Sequence, residues 1–406
     1  MNNDIEFELI IGNRRSEPSV DVYKIKMNLA KIEKETLSIP SVNRIWSWKP
    51  GKRDKPEYSK FSPAEIKPVL YKEKPADKGQ HAILTIDDIY DNNTNKYLYS
   101  EVLVLPYIKD TNGHPLPPKS PLLKLPLNGN IGNWHSVELI PDSNGLLCLV
   151  AIADSYGTVH VFTKEGKRKN TLKLPHAHGL VWDNKTSTLF ALGHTDLQTY
   201  QLDPKDPTNL KLLTTLDFSE HYEKKNESEE NKDGGHDLCP VPGERKLFLT
   251  TGERTFKFDI DEYEKLIPKG GKILECYNLK KGERILKPYQ PMFKIDSKYW
   301  RNIASDNVPP AEKGLKNRVT PMKGGVKSIS QVPGTSVVIA FAAPWFADGY
   351  GVLAYYYNSD TLLVATGPED KPLPDDKLLD VDLTNSHKIK FSAATFYKVR
   401  VLAFPK

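Results

Sequence analysis

Polar and apolar positions alternate along most of this chain, and one pattern of strand, turn and strand keeps returning. Trp134-His135-Ser136-Val137-Glu138-Leu139-Ile140-Pro141 leads into an apolar run over residues 146–153. His178-Gly179-Leu180-Val181-Trp182-Asp183 leads into 187–192, His236-Asp237-Leu238-Cys239-Pro240-Val241-Pro242 into 246–251, and Lys327-Ser328-Ile329-Ser330-Gln331-Val332-Pro333 into 336–342. A weaker copy starts at Lys67, with Pro68-Val69-Leu70 and then 81–86 as its second strand. Period-2 alternation over segments of this length predicts strands, and such units repeated around an axis predict the blades of a β-propeller.

The spacing predicts about six four-stranded blades, or seven if the stretch 280–325 supplies strands of its own. Blades would run over 67–125, 135–172, 178–213, 236–277 and 326–366. The remaining blade combines strands at 6–11, 20–25 and 44–48 with one from the C-terminus, where Phe396-Tyr397-Lys398-Val399-Arg400-Val401-Leu402 alternates well. Closing the ring in this way removes two open sheet edges. The whole chain, 1–406, is therefore expected to be one propeller domain, with an insertion at 280–325 over the channel mouth and a second interruption, a charge run, at 221–235.

In a propeller the first strand of each blade lines the central channel, so residues that open those strands converge. Lys67, His135, His178, His236 and Lys327 are accordingly expected around one mouth. Connections on the same face carry Tyr156, His194, Arg254, Trp345 and Tyr350, and the insertion adds Arg301. Aromatic rings beside charges suit a sugar, which offers a flat apolar face and directional hydroxyls.

Composition narrows the class. With 38% apolar residues, 31 Pro, 25 Gly and 19 Tyr, the chain suits many short strands and turns. The formal charge of +5 is spread along the sequence, so nothing points to nucleic acid. Residues 1–30 hold no continuous apolar run, and neither a signal peptide nor a membrane span is expected there; a cytoplasmic protein and a secreted one with its signal removed both accommodate this. The three cysteines, Cys148, Cys239 and Cys276, lack metal spacing. Oligomeric state is not written in the sequence. Nucleophile-elbow, P-loop, dinucleotide-binding and zincin motifs are missing.

Three imidazoles meeting at an axis are a common first shell for a divalent transition metal, which makes His135, His178 and His236 candidate ligands, with Mn, Zn or Ca as the candidate ions. Lys67 and Lys327 at the same level favour instead an anionic ligand. Both features suit β-elimination from a uronate-containing glycan. There a base takes the proton beside a carboxylate whose charge a cation neutralises. His135, His178, His236 or His194 would serve as base and Tyr156, His194 or Tyr350 as acid, with Lys67, Lys327, Arg254, Arg301, Trp345 and Tyr350 holding substrate. The alternative is a non-catalytic module that binds an anionic glycan or a protein segment in the same funnel. Asp154, Asp196 and Glu253 would be the carboxylates of a hydrolytic reading.

The motifs His135-Ser136-Val137-Glu138-Leu139-Ile140-Pro141, His178-Gly179-Leu180-Val181-Trp182-Asp183, Gly234-Gly235-His236-Asp237-Leu238 and Val326-Lys327-Ser328-Ile329, with Trp46-Ser47-Trp48 ahead of them, resemble a family of six-bladed propeller proteins of unknown function. That resemblance implies the fold and brings no activity. More distantly, the channel histidines are similar to those of propeller polysaccharide lyases, oligogalacturonate lyase among them, which implies a metal at the axis and a lyase reaction. Lysine at two ring positions and the insertion at 280–325 depart from that pattern.

Overall fold

The computed structural model describes residues 4–13, 18–28, 41–50, 63–91, 96–117, 119–127, 132–203, 205–219, 234–251, 255–267, 274–279, 285–288, 320–335, 337–347, 353–355, 361–366, 388–390 and 396–405. Its strands form six small, mainly antiparallel sheets arranged as a β-propeller. The first sheet contains β1 (Asp4–Asn13), β2 (Ser19–Asn28) and β3 (Ser41–Trp48). The second is β4 (Pro63–Tyr71), β5 (Gln80–Asp91), β6 (Lys96–Pro106) and β7 (Leu123–Leu127). The third is β8 (Trp134–Pro141), β9 (Leu147–Asp154), β10 (Thr158–Thr163) and β11 (Arg168–Lys173).

The fourth sheet holds β12 (Gly179–Asp183), β13 (Thr188–Leu192), β14 (Asp196–Asp203) and β15 (Asp206–Asp217), and the fifth β16 (Gly235–Pro240), β17 (Lys246–Thr251) and β18 (Thr255–Asp259). A short helix, α1 (Ile260–Leu266), follows, capped by the Asp259 carboxylate accepting from the Glu262 amide. Then β19 (Leu274–Asn278) returns to pair in parallel with β15, and β20 (Leu286–Pro288) completes the fifth sheet. The sixth is β21 (Thr320–Gln331), β22 (Val337–Ala347), β23 (Leu353–Tyr355), β24 (Thr361–Thr366) and β25 (Lys388–Lys390).

Last comes β26 (Phe396–Val401), which pairs antiparallel with β1 and so places C-terminal chain on the inner edge of the first sheet. The expected closure by the two chain ends is what the strand pairing shows. Of the stretch 280–325, the described parts are β20, the preceding Ile285 and the start of β21; the rest, like 221–233 of the charge run, lies outside the described residues. Among the described residues no helix is long and apolar enough to cross a membrane.

The second strands β9, β13 and β17 read as nearly unbroken apolar runs because both of their faces are covered. In β9, Val150 and Ile152 face the second sheet with Ala64, Val104 and Phe162, while Leu149, Ala151 and Ala153 face the fourth with Leu180, Leu189 and Tyr200. Similar cores lie between the first and second, fourth and fifth, and sixth and first sheets. The turn after each inner strand is also encoded. The Asp142 carboxylate accepts from the amides of Asn144 (2.8 Å) and Leu146 (3.0 Å), and Gly145 supplies the left-handed residue at φ 77°. Gly243 and Gly334 supply left-handed residues in the corresponding turns of the fifth and sixth sheets.

Candidate functional site

The residue that opens each repeat owes its position to a β-bulge. Pairing of β8 with β9 skips His135 between Trp134 and Ser136, β16 with β17 skips His236, and β21 with β22 skips Lys327. In the fourth sheet the His178 amide donates to the Leu192 carbonyl at 2.9 Å, the residue that Gly179 already faces. A bulge leaves one residue unpaired and re-aims its side chain. Here that side chain is an imidazole three times over. His135 and His178 have ring centres 4.0 Å apart and are both buried, and His236 meets His178 edge-on at 5.4 Å. The three predicted histidines thus converge.

Lys67 does not stand with them. The bulge of β4 falls between Pro63 and Glu65, so the residue in the register of His135 is Ala64, and Lys67 lies three positions further along the strand, level with Glu138. Its ammonium group is committed inside the channel, donating to Ser136 Oγ (3.1 Å), Glu138 Oε2 (3.2 Å) and the Leu180 carbonyl (2.5 Å). It is therefore part of the channel filling and does not face a substrate as expected.

That filling went unrecognised in the sequence. Glu65, Asp237, Lys398 and Arg400, each at most 2% exposed, join the inner strands beneath the histidines. Arg400 donates to both Asp237 oxygens (2.8 and 2.6 Å) and to Glu65 Oε1 (3.1 Å). Lys398 reaches Glu65 Oε2 and Asp237 Oδ1, each at 3.2 Å, and the His135 carbonyl at 2.8 Å. Burial alone would raise the Glu65 and Asp237 carboxyls, but the facing cations outweigh it and hold both below the usual range. For Glu138 burial prevails over Lys67 and pushes the carboxyl up. The signal was legible as charged positions within the apolar alternation of 396–402, where an inner strand should carry none unpaired.

Two more histidines extend the cluster outward. His176, exposed in the link before β12, has its ring centre 6.5 Å from that of His178 and 5.1 Å from that of His194, and its carbonyl accepts from His178 Nδ1 at 2.8 Å. His194, in the turn from β13 to β14, is half-buried. Its affinity for a proton is lowered by burial and further by His176. Tyr156 projects from the β9–β10 turn with 71% of its surface exposed. That turn is pinned to the start of β8 by the Ser155 amide donating to the Asn133 carbonyl at 3.3 Å.

Asp154 is spent elsewhere: it is buried and bonded to His160 Nε2 at 2.6 Å. Lys327 and Trp345 lie on β21 and β22, but their side chains, like Arg254, Glu253, Arg301 and Tyr350, fall outside the described residues.

Among the described residues, no group of three or more His, Cys, Asp or Glu side chains is arranged to hold a metal ion. Two imidazoles on one tetrahedral ion, with metal to nitrogen bonds of roughly 2 Å, have ring centres about 5 Å apart. His135 and His178, at 4.0 Å and tilted by 34°, are packed ring on ring instead. As placed, the pair does not fit a shared ion.

Residues 122–282 match a protein family described as "Family of unknown function (DUF6528)". No curated protein matches the chain. Among solved structures the chain is similar to a periplasmic gluconolactonase of Pseudomonas aeruginosa, with 12% identity, 99% of this chain and 100% of that one covered, and a TM-score of 0.42. It is also similar to a protein of unknown function from Bacteroides caccae (7% identity, 98% and 99% covered, TM-score 0.36). A third similarity is to the β-propeller domain of Cps50 (Swd1) from Myceliophteria thermophila (8% identity, 88% and 99% covered, TM-score 0.34).

Proposed function

We propose that the histidine-lined mouth binds an anionic carbohydrate, with a uronate-containing glycan as the ligand class. The observation that carries this reading is that His135 and His236 both pack against His178, above the buried ion network of the inner strands. A ligand entering here meets imidazoles, which turn cationic on contact with an anion near neutral pH, and an exposed tyrosine ring on which a sugar face can stack. Carboxylate binding should tighten as the imidazoles gain protons. Calorimetric titration with oligogalacturonate at pH 5.5 and 7.5 tests this. Tighter binding at the lower pH supports the reading, and equal or weaker binding at pH 5.5 overturns it.

A second reading, β-elimination on the same ligand, is favoured by His194. Burial and His176 hold this ring neutral to lower pH than a free imidazole, so a basic nitrogen stands ready near the mouth. In this reaction His194 takes the proton beside the uronate carboxylate, a carbon–carbon double bond forms, and the glycosidic oxygen leaves with a proton supplied by Tyr156. Ultraviolet absorbance of an unsaturated uronate product, lost in His194→Gln, is the outcome this reading requires. Binding without such a product leaves the protein a glycan-binding module.

The metal of the sequence reading is tested separately. Elemental analysis of protein purified without chelator, repeated on His135→Ala and His236→Ala, should show stoichiometric metal only if the imidazoles rearrange from their packed placement.

A further inference from the structure

The mouth does not end at the axis. Ring centres step from His135 to His178, from His178 to the exposed His176, and from His176 to His194 over 4.0, 6.5 and 5.1 Å, so the cluster extends beyond the axial histidines. The outer end of that cluster is built with care in the backbone. His176 has φ 50°, a left-handed conformation that a residue with a Cβ adopts at a cost and that tends to persist where surroundings and function require it. Its carbonyl is held by His178 Nδ1.

His194 is fixed from two sides, its amide donating to the Pro175 carbonyl at 2.9 Å and its carbonyl accepting from the Gly235 amide at 3.0 Å. The space for its ring exists because residue 234 is glycine: a Cβ there would sit 2.4 Å from His194 Nδ1. Elements of the third, fourth and fifth sheets thus cooperate to present two imidazoles side by side at the rim. Two such rings, with centres 5.1 Å apart, offer two nitrogen donors to one anionic group lodged between them.

We infer that His176 and His194 form a second anion subsite outside the axial histidines, so that the mouth takes an acidic sugar oligomer bridging at least two charged groups. This rests on the mouth being an anionic-glycan site and adds to it the length of the ligand. A monosaccharide fills the axial position alone, whereas an oligomer engages both and gains from the second without a second cost of association.

The test measures binding of galacturonate and of tetragalacturonate, separately, to the full chain by calorimetry. It uses the wild type, the double variant His176→Ala/His194→Ala, and His176→Asn/His194→Gln, which keeps a residue tolerant of the left-handed backbone at 176. Thermal unfolding of each variant checks that the fold survives. The expected result is that the wild type binds the tetramer more than about tenfold tighter than the monomer, and that both variants lose about tenfold for the tetramer, well beyond what they lose for the monomer. Equal weakening of both ligands, or no weakening of the tetramer, overturns the subsite and leaves the axial site standing. If the wild type binds neither probe, the anionic-glycan reading itself falls and takes the subsite with it.

Discussion

Charges below the histidines hold this mouth in shape. Glu65, Asp237 and Glu138 face Lys67, Lys398 and Arg400 in a largely buried space, so removing one partner strands another. Breaking a buried ion pair from one side typically costs about 3–5 kcal/mol, well above the worth of a surface pair. Asp237→Asn should therefore lower the stability measured by urea denaturation at pH 7 by that order.

The same substitution should flatten the acid limb. Asp237 has a folded pKa below its unfolded value, so its contribution is complete above roughly pH 4 and disappears as pH falls through the folded value. His194 acts at higher pH, with the sign of a base kept neutral. Its folded pKa is depressed, so stability is complete above roughly pH 6.5 and declines below it, because the unfolded chain binds the proton more readily. His194→Gln should remove part of the loss seen between pH 6.5 and 5. An unchanged slope in that variant would show that His194 titrates like a free imidazole.

At the level of the elements, the bulge is what turns a repeated strand into a site. Apolar runs in the sequence located the second strands, which pack on both faces, and the three histidines announced themselves by recurring in the strand ahead of those runs. Alternation could not locate the bulges, since a skipped residue leaves the pattern on either side intact. That is why Lys67 was aligned with His135 although Ala64 holds that register.

His176 escaped for a related reason: its position depends on a left-handed link, and only the alternation His176-Ala177-His178 hints at it. Gly179 shows how closely the inner strands approach. A Cβ there would lie 2.6 Å from Leu238 Cβ and 2.8 Å from the Leu238 amide nitrogen, a backbone atom that cannot simply rotate aside. Gly179→Ala should push β12 away from β16, costing about 1–3 kcal/mol of stability and separating His178 from His236. Gly234→Ala, by contrast, meets only the His194 ring, so it should disturb ligand binding while the unfolding midpoint moves little.

For the whole molecule the question is what closes the ring. Closure by the chain ends was legible in the sequence, because the first sheet lacked an inner strand and 396–402 offered one. What the sequence did not disclose is that this strand also carries Lys398 and Arg400, two of the channel cations alongside Lys67, so pairing and charge are superimposed on one element. β26 pairs with β1, packs Val399 and Val401 into the core shared with the sixth sheet, and sends Lys398 and Arg400 to carboxylates of the second and fifth.

Two variants separate the contributions. Lys398→Met, Arg400→Met, Glu65→Gln and Asp237→Asn together leave no buried charge unpaired within that set, and an uncharged replacement of a buried network is often tolerated. Deleting residues 396–406 removes the cations and the strand together. It leaves Glu65 and Asp237 without these partners and exposes the edge of β1, which invites pairing with another chain. The fourfold variant should remain folded and unfold in a single transition, whereas the truncated chain should aggregate in size-exclusion chromatography and lose its cooperative melt. If the fourfold variant fails in the same way as the truncation, ion pairing closes the ring; if it survives alone, strand pairing and apolar packing do.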